Sequence, residues 1–189
     1  MKILLHQCCG PCSLFPINIL NDEKLDIFGY YYNPNIHPIT EFYKRLQYTT
    51  IVNSHYNIKS IVNNEYDITG FIRNVAYREN NRCNYCYALR IEKTAQIAKR
   101  GKFDLFTTTL LYSKFQNHEI IREMCESAAK KHKIDFFYYD FREGWKKGIE
   151  LSKQLDLYRQ PYCGCIFSEE ERFGKILSKK FANTVEKCI

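Results

Sequence analysis

The sequence lacks any apolar run of the length that a membrane helix needs. Spanning a bilayer takes about 20 consecutive apolar residues, and no stretch of the 189 residues approaches that length. The chain also starts with one lysine and a strand-like run, without the small-residue cleavage site of a signal peptide. These absences predict a cytoplasmic protein that has no membrane partner.

Glycine and proline are scarce as well, with 8 and 5 residues, and neither repeats nor low-complexity segments interrupt the chain. The composition, 45% hydrophobic and 26% charged, is typical of a soluble globular protein. A chain of this length can bury a core without disulfide staples. We therefore expect residues 1–189 to form a single domain.

Cysteine, by contrast, is abundant, with 9 residues. Structural disulfides are rare in a reducing cytosol, where grouped cysteines more often bind metal or perform redox chemistry. Cys125 falls in the apolar stripe of a predicted helix, which favours a buried core thiol, and Cys188 is assigned no role. The remaining seven form three groups: Cys8, Cys9 and Cys12; Cys83 and Cys86; Cys163 and Cys165.

Short apolar segments alternate with amphipathic ones along the chain. Strands are predicted over 2–7, 25–32, 58–62, 103–111 and 135–140. Helices are predicted over 11–21, 39–54, 68–77, 83–100, around 120–128, and over 145–155. This alternation indicates βαβ units, and it predicts a Rossmann-like, nucleotide-hydrolase-like α/β domain of three α/β/α layers with a mainly parallel sheet.

A last helix is predicted after the third cysteine group. Ser168 and Glu171 have the spacing of a capping box. The helix that follows is expected to bury an apolar stripe of Phe173, Ile176, Leu177 and Phe181.

The first two cysteine groups suit an iron–sulfur cluster. Such clusters are usually held by four thiolates, and Cys83 and Cys86 lie one turn apart at a helix start, where thiolate charge is stabilised. With the adjacent Cys8 and Cys9 they suffice for one [4Fe–4S] cluster. Zinc, which also accepts four thiolates, and a thioredoxin-like dithiol at Cys83 and Cys86 are the alternatives.

The third group, Cys163-Gly164-Cys165, can close only a small, strained disulfide, and strained disulfides are the reducible kind. Beside a cluster this pair could cycle between dithiol and disulfide. Together with Cys12 it could instead hold a second metal ion. A structural turn with packed thiols is the third interpretation.

Basic and aromatic residues surround the second cysteine group, in a chain of net charge +7. Cations that meet phosphates beside rings that stack on bases are typical of an RNA-binding surface, although a solvated helix face would look similar. His6 is expected to be a satisfied core histidine. Asp140 and Arg159 suit either substrate contacts or local ion pairs. The candidate substrate residues are His37, Arg82, Tyr85, Tyr87, Arg90, Asp140 and Arg159.

Several longer motifs follow one another along the chain. They are Leu-Leu-His-Gln-Cys-Cys-Gly-Pro-Cys from Leu4, Tyr-Tyr-Asn-Pro-Asn-Ile-His-Pro from Tyr31 with Glu41-Phe42-Tyr43-Lys44-Arg45, Cys83-x-x-Cys86-x-x-x-Arg90, Thr108 to Ser113, Asp140-Phe141-Arg142-x-Gly144, and Tyr158 to Cys165 with Ser168. Together they closely resemble the cobalamin-independent epoxyqueuosine reductase family. Gly10, where alanine is common, and Lys114, where proline often follows the serine, depart from the pattern without touching a thiol.

The resemblance implies the last step of queuosine synthesis, in which an epoxide on the wobble base of a tRNA is reduced to an alkene and oxygen leaves as water. It implies a [4Fe–4S] cluster on Cys8, Cys9, Cys83 and Cys86 and a redox-active pair at Cys163 and Cys165. An iron ion beside the cluster, held by Cys12, Cys163 and Cys165, is the other arrangement that it leaves open.

The predicted partners are therefore a tRNA that carries epoxyqueuosine in its anticodon loop and an unknown external electron donor. Tyr85, Tyr87, Arg82 and Arg90 are predicted to line the entrance for the splayed base. The alternative function is a zinc-stabilised RNA-binding module without redox activity. A cluster-containing enzyme of the tRNA-thiolation type is disfavoured, because the first strand–loop lacks the serine- and glycine-rich phosphate cradle that ATP would need.

Overall fold

The computed structural model describes residues 1–185, and side chains as far as Phe181; Cys188 lies outside this range. The strands are β1 (Lys2–His6), β2 (Asp26–Tyr31), β3 (Lys59–Val62), β4 (Leu105–Thr108) and β5 (Asp135–Phe136). The helices are α1 (Gly10–Asp22), α2 (Ile39–His55), α3 (Ile68–Val75), α4 (Arg82–Arg100), α5 (His118–His132), α6 (Trp145–Gln154) and α7 (Ile166–Val185). Short 3₁₀ turns cover Glu79–Asn81, Thr109–Tyr112 and Phe141–Gly144.

The five strands form one parallel sheet in the order β3-β2-β1-β4-β5. In β1 the side chains alternate between the two faces of the sheet. Leu4 packs into a core with residues of α4 and α5, whereas Ile3 and Leu5 pack with residues of α1 and α2. Because both faces of β1 are covered, its sequence is an unbroken apolar run. The predicted Rossmann-like three-layer α/β/α fold is confirmed.

Helix α1 approaches α2 so closely that its first residue must lack a side chain. A Cβ on Gly10 would lie 2.5 Å from the backbone oxygen of Tyr48 in α2. Pro11 follows within the first turn of α1, where a missing backbone N–H costs nothing. Glycine is therefore required at the point where α1 and α2 meet.

Two predicted strands are shorter than expected. The strand predicted over 103–111 ends at Thr108, whose side chain accepts a hydrogen bond from Leu110 N and starts a 3₁₀ turn. The strand predicted over 135–140 ends at Phe136. Asp140 instead caps the next 3₁₀ turn, where its side chain accepts a hydrogen bond from Arg142 N. In both segments local side-chain hydrogen bonds compete with the sheet ladder.

The prediction for the last helix is wrong in two respects. Helix α7 begins at Ile166, before Ser168, whose hydroxyl instead donates to Cys165 O and accepts from Gly164 N. The apolar stripe is not buried: Ile176, Leu177 and Phe181 are exposed.

None of the helices in residues 1–185 is both long and apolar enough to cross a membrane.

Candidate metal and active site

The first cysteine group lies where the strand order of the sheet reverses, between β1 and β4. Ligands of open α/β sheets bind at this point, outside the carboxyl ends of the strands. Cys8 follows β1, and its backbone N–H donates to Thr109 Oγ1 just beyond β4 at 3.0 Å. The Thr109 hydroxyl lies 3.3 Å from Cys8 Sγ. Both strands therefore fix the position of Cys8.

Cys8, Cys9 and Cys12, which we call the N-terminal triad, form a compact buried group of thiols. Their Sγ atoms all lie within 4.8 Å of one another. Gln160, from the distant segment before α7, donates through Nε2 to Cys9 Sγ at 2.9 Å and to Cys12 Sγ at 3.3 Å. The motif Tyr158 to Cys165 contains Gln160, but spacing alone did not indicate that its amide meets the triad.

The three thiols of the triad differ in acidity. Hydrogen bonds from Cys12 and Cys9 lower the pKa of Cys8 well below its usual range. Burial raises the pKa of Cys9, and the hydrogen bond to Cys8 raises that of Cys12. Cys8 is therefore the first of the three to become a thiolate, which is the form that binds metal.

Cys83, Cys86, Cys163 and Cys165, which we call the four-thiol pocket, line a second cavity of about 120 Å³. Cys86 and Cys165 are buried, whereas Cys83 and Cys163 are exposed. Cys163 also lines a larger cavity together with Cys8 and Cys12. The structure thus brings the three cysteine groups of the sequence to adjoining cavities, with Cys163 shared between them.

Arg90 is directed at a sulfur and not at solvent. It is 2% exposed, donating through Nη2 to Cys86 Sγ at 2.9 Å and through Nε to Cys86 O at 3.0 Å. Burial disfavours its charge, but the neighbouring Cys86 and Cys163 raise its pKa above the usual value. The prediction that Arg90 lines a tRNA entrance is therefore wrong; it is a buried cation beside a thiol.

Arg45 is a second buried cation, one that the sequence analysis did not single out. It is 2% exposed and donates to Cys163 O at 2.7 Å and to Tyr162 O at 3.0 Å. Its Nε bonds to Glu41 Oε1 at 2.6 Å, and Tyr158 Oη donates to Glu41 Oε2 at 2.7 Å. The Glu41–Arg45 motif thereby anchors the loop that carries Cys163.

Gly164 lets this loop pass close to Arg45. Its φ of +151° belongs to the region that favours glycine, and a Cβ there would lie 3.2 Å from Arg45 Nη1. Its carbonyl accepts from His37 N at 2.8 Å. Glycine between the two cysteines is thus required by the close packing of the loop.

His37 supports the loop through its backbone N–H, which donates to Gly164 O, and it lines neither of the two cavities described above. It is fully buried, with its ring 5.0 Å from that of Phe71 and 5.8 Å from that of Tyr66. Burial lowers its pKa to about 4, so the imidazole is neutral. The prediction that His37 contacts the substrate does not agree with this placement.

His6 is buried beside the triad, with Nδ1 2.9 Å from Thr108 Oγ1 and Nε2 3.1 Å from Tyr32 O. The prediction of a satisfied core histidine is confirmed. Cys125 is likewise fully buried in the core on the α5 side of the sheet, as predicted.

The other candidate substrate residues occupy several environments. Tyr87 is 4% exposed, and its hydroxyl accepts from Asn117 N. Tyr85 is partly buried against Phe71. Arg82 is ion-paired with Glu171 beside the four-thiol pocket. The burial of Tyr87 does not agree with a base-stacking role, whereas the role expected for Tyr85 stays a prediction.

Asp140 and Arg159 have different surroundings. Asp140 forms two hydrogen bonds with Arg142, at 2.7 and 2.6 Å, which is the local ion pair that the sequence analysis left open. Arg159 is exposed and lines the larger cavity. Of the seven candidates, Arg159 is therefore in a position to meet a ligand in that cavity.

The larger cavity has a volume of about 680 Å³ and opens beside the thiols. Cys8, Cys12 and Cys163 contribute sulfur atoms to its lining, and Tyr112, Phe115 and Trp145 contribute aromatic rings. Volumes of 300 to 1,000 Å³ are typical of small-molecule sites. The arrangement has room for a ligand of nucleoside size next to a group of thiols.

A Rossmann-like α/β protein with a thiol-rich site at the sheet's switch point is the class that fold and site define. Residues 3–171 match the family model described as epoxyqueuosine reductase QueH. The chain belongs to this family.

The similarity to curated relatives supports the same family. The chain is 34% identical over 174 residues to epoxyqueuosine reductase QueH of Dehalococcoides mccartyi, covering 92% of this chain and 96% of the relative. It is 34% identical over 183 residues to the Thermotoga maritima protein of the same name, covering 92% and 93%. A solved structure titled as a predicted subunit of tRNA methyltransferase from Methanocaldococcus jannaschii matches with a TM-score of 0.57 at 12% identity, covering 81% of this chain and 74% of that one. At this identity the likeness concerns the fold alone.

Proposed function

We propose that this protein reduces epoxyqueuosine to queuosine at the wobble position of tRNA, as an oxidoreductase of the last step of queuosine synthesis. The observation that carries the proposal is the meeting of three cysteine groups at two adjoining cavities of about 680 and 120 Å³ in a chain of this family. An external electron donor and action in the cytoplasm are part of the same proposal.

We infer that the thiols hold a [4Fe–4S] cluster on Cys8, Cys9, Cys83 and Cys86. Thiolates are the ligands that such clusters prefer, and Arg90 supplies a buried positive charge that offsets them. Hydrogen bonds to cluster sulfurs tune the reduction potential, and Gln160 and Thr109 are placed to make such bonds. The thiols, the buried cation and these two hydrogen-bond donors support the inference.

Cys12, Cys163 and Cys165 then remain for the second role, either a redox-active pair at Cys163 and Cys165 or an additional iron ion on all three. The contact of Cys163 with both cavities favours a place beside the substrate in either case. Metal content of single cysteine variants separates these arrangements.

The chemistry balances on the residues present. Converting an epoxide to an alkene and water consumes two electrons and two protons, and a dithiol that closes to a disulfide releases the same number of each. A bound cluster would supply single electrons. The Cys163 thiol, exposed to the cavity, is placed to give a proton to the epoxide oxygen as the C–O bond breaks. The external donor then restores the dithiol.

The test uses protein purified without oxygen and given a chemical reductant and tRNA that carries epoxyqueuosine. Mass spectrometry of the wobble nucleoside should show the loss of one oxygen atom. Cys163→Ser should stop the conversion, whereas Cys125→Ala, at a buried core thiol away from both cavities, should retain it. A colourless zinc protein that binds tRNA but leaves the epoxide intact would contradict the proposal and favour the zinc-stabilised RNA-binding module.

A further inference from the structure

Three aromatic side chains form one continuous surface in the larger cavity, which we call the aromatic wall: Tyr112, Phe115 and Trp145. The rings of Tyr112 and Trp145 are stacked, with centroids 5.2 Å apart. Phe115 meets Trp145 edge-on at 5.6 Å and is 84% exposed. An apolar ring so exposed at the edge of a cavity is a feature that packing of the core does not explain.

The aromatic wall is held in place by the fold. Tyr112 Oη donates to the backbone oxygen of Trp145 at 3.2 Å. A Cβ at Gly148, one turn further along α6, would lie 2.1 Å from Tyr112 Oη, so only glycine there lets the tyrosine lie across the helix. Tyr112 and Trp145 are therefore fixed before a ligand arrives, which reduces the entropy lost on binding.

The aromatic wall shares its cavity with the thiols and with positive charge. Cys8, Cys12 and Cys163 line the same space, and Gln116, next to Phe115 in sequence, lies with Nε2 3.6 Å from Cys163 Sγ. The cavity lining also includes the exposed guanidinium groups of Arg159 and Arg172. Rings, cations and thiols thus meet in one cavity, where Phe115 is exposed, Trp145 is partly exposed, and the buried Tyr112 supports Trp145 by stacking on it.

We propose that Phe115 and Trp145 of the aromatic wall, with Tyr112 fixing Trp145, stack the unpaired wobble base of the anticodon loop, while Arg159 and Arg172 meet the flanking phosphates. Single-stranded RNA is recognised by stacking of splayed bases on aromatic rings and by cations along the backbone. With the base on the wall, its modified side chain extends into the cavity that holds the thiols. This inference rests on the proposed function and names the substrate subsite.

Phe115 offers the sharpest test because its exposure leaves folding unaffected. The affinity of an anticodon stem-loop bearing epoxyqueuosine would be measured by fluorescence anisotropy with the metal-loaded protein, alongside kcat and KM for reduction. Removing one stacking partner should weaken binding by about 5- to 150-fold. Phe115→Ala should therefore raise Kd and KM by that factor, and Phe115→Tyr should restore both.

The matched control is Phe181→Ala, which removes an exposed phenylalanine on α7. It should leave Kd and KM unchanged. Equal Kd values for Phe115→Ala, Phe181→Ala and the unaltered protein, in a protein that reduces the epoxide, would overturn the subsite and leave the proposed function intact. Stem-loop binding that depends on Phe115, in a metal-loaded protein that reduces nothing, would support the subsite and overturn the proposed function.

Discussion

The N-terminal triad and the four-thiol pocket are built in different ways. The triad comes from one short segment, and all three of its thiols are buried at the junction of β1 and α1. The four-thiol pocket joins the start of α4 to the loop before α7, and two of its thiols are exposed. Secondary structure positions the triad and also Cys83 and Cys86, whereas the position of Cys163 depends on the contacts that Arg45 makes with its loop.

This difference suggests a division of labour. Rigid, buried thiols such as Cys8 and Cys9 suit permanent metal ligation, because their geometry persists through the reaction. A pair on a loop, with Cys163 exposed, suits a group that must change oxidation state or approach a substrate. The predictions below test this contrast in order of decreasing expected effect.

Removing a triad thiol should have the largest consequence. Changing even an outer partner of a metal ligand costs 10- to 100-fold in affinity or activity, so we expect Cys8→Ser to lower iron content sharply and to reduce kcat/KM by more than about 100-fold. Iron and sulfide analysis and the tRNA assay measure both. Cys125→Ala is the control, since this thiol is buried in the core. Iron retention by Cys8→Ser at the unaltered level would show that the triad is not a ligand group.

Arg45→Ala should loosen the loop that carries Cys163 in the four-thiol pocket, whereas the triad should keep its position. Removing the cation leaves Glu41 buried without its partner, which typically costs about 3–5 kcal/mol of unfolding free energy. The freed loop should also make Cys163 react faster with iodoacetamide. Urea denaturation and mass spectrometry of the alkylated protein provide the two measurements.

The double replacement Arg45→Met with Glu41→Met separates these two effects. It should recover most of the lost stability, since no unpaired charge stays buried, but the alkylation of Cys163 should remain fast. Unaltered alkylation in both variants would mean that Arg45 does not position the loop.

Gly10→Ala tests the close packing of α1 against α2 next to the triad. Its methyl group would meet the backbone oxygen of Tyr48 at 2.5 Å, and overpacking of this kind costs about 1–3 kcal/mol. Gly174→Ala in α7 is the matched control, because its Cβ has 3.6 Å to the nearest atom. The midpoint of thermal unfolding should therefore fall for Gly10→Ala. It should rise for Gly174→Ala, because alanine favours a helix more than glycine does. A Gly10→Ala protein as stable as the original would contradict the close approach of α1 and α2.

The buried His37, which packs against the loop that carries Cys163, should make the free energy of unfolding depend on pH. Burial lowers its pKa from 6.5 to about 4, so the unfolded chain binds a proton that the folded protein rejects. The contribution of the neutral His37 to the free energy of unfolding is therefore present above about pH 6.5, and it is lost as the pH falls towards 4. Between pH 7.5 and 5.5 this amounts to roughly 1 kcal/mol for His37. His37→Phe should reduce the loss measured by urea denaturation by that amount, and an identical pH dependence in both proteins would contradict this account.

The fold and the thiol-rich edge were predictable from local patterns. Apolar runs such as Leu4–Leu5 identify buried strands, and cysteines that follow β1 must lie at the carboxyl edge of a parallel sheet. Strand order was not predictable, because it depends on which apolar surfaces meet. The exposure of Phe181 was also missed, since a helical stripe indicates an apolar face but not what covers it.

The sequence predicted which types of residue lie near the site better than it predicted where each side chain is directed. The sequence indicated arginines and tyrosines near the second cysteine group, yet Arg90 and Tyr87 are buried by packing of α4 against the sheet and α5. Only folding brings Arg45 to the backbone oxygen of Cys163 and Gln160 to the sulfur of Cys9, which is far away in sequence. Such contacts follow from tertiary structure, and periodicity contains no signal for them.

The central claim, that these thiols form an iron-binding redox site, is tested most directly by metal and sulfide analysis of protein purified without oxygen. A [4Fe–4S] cluster predicts about four irons and four sulfides per chain with broad brown absorption. A fifth iron would indicate the additional ion at Cys12, Cys163 and Cys165. Zinc without sulfide would contradict the account.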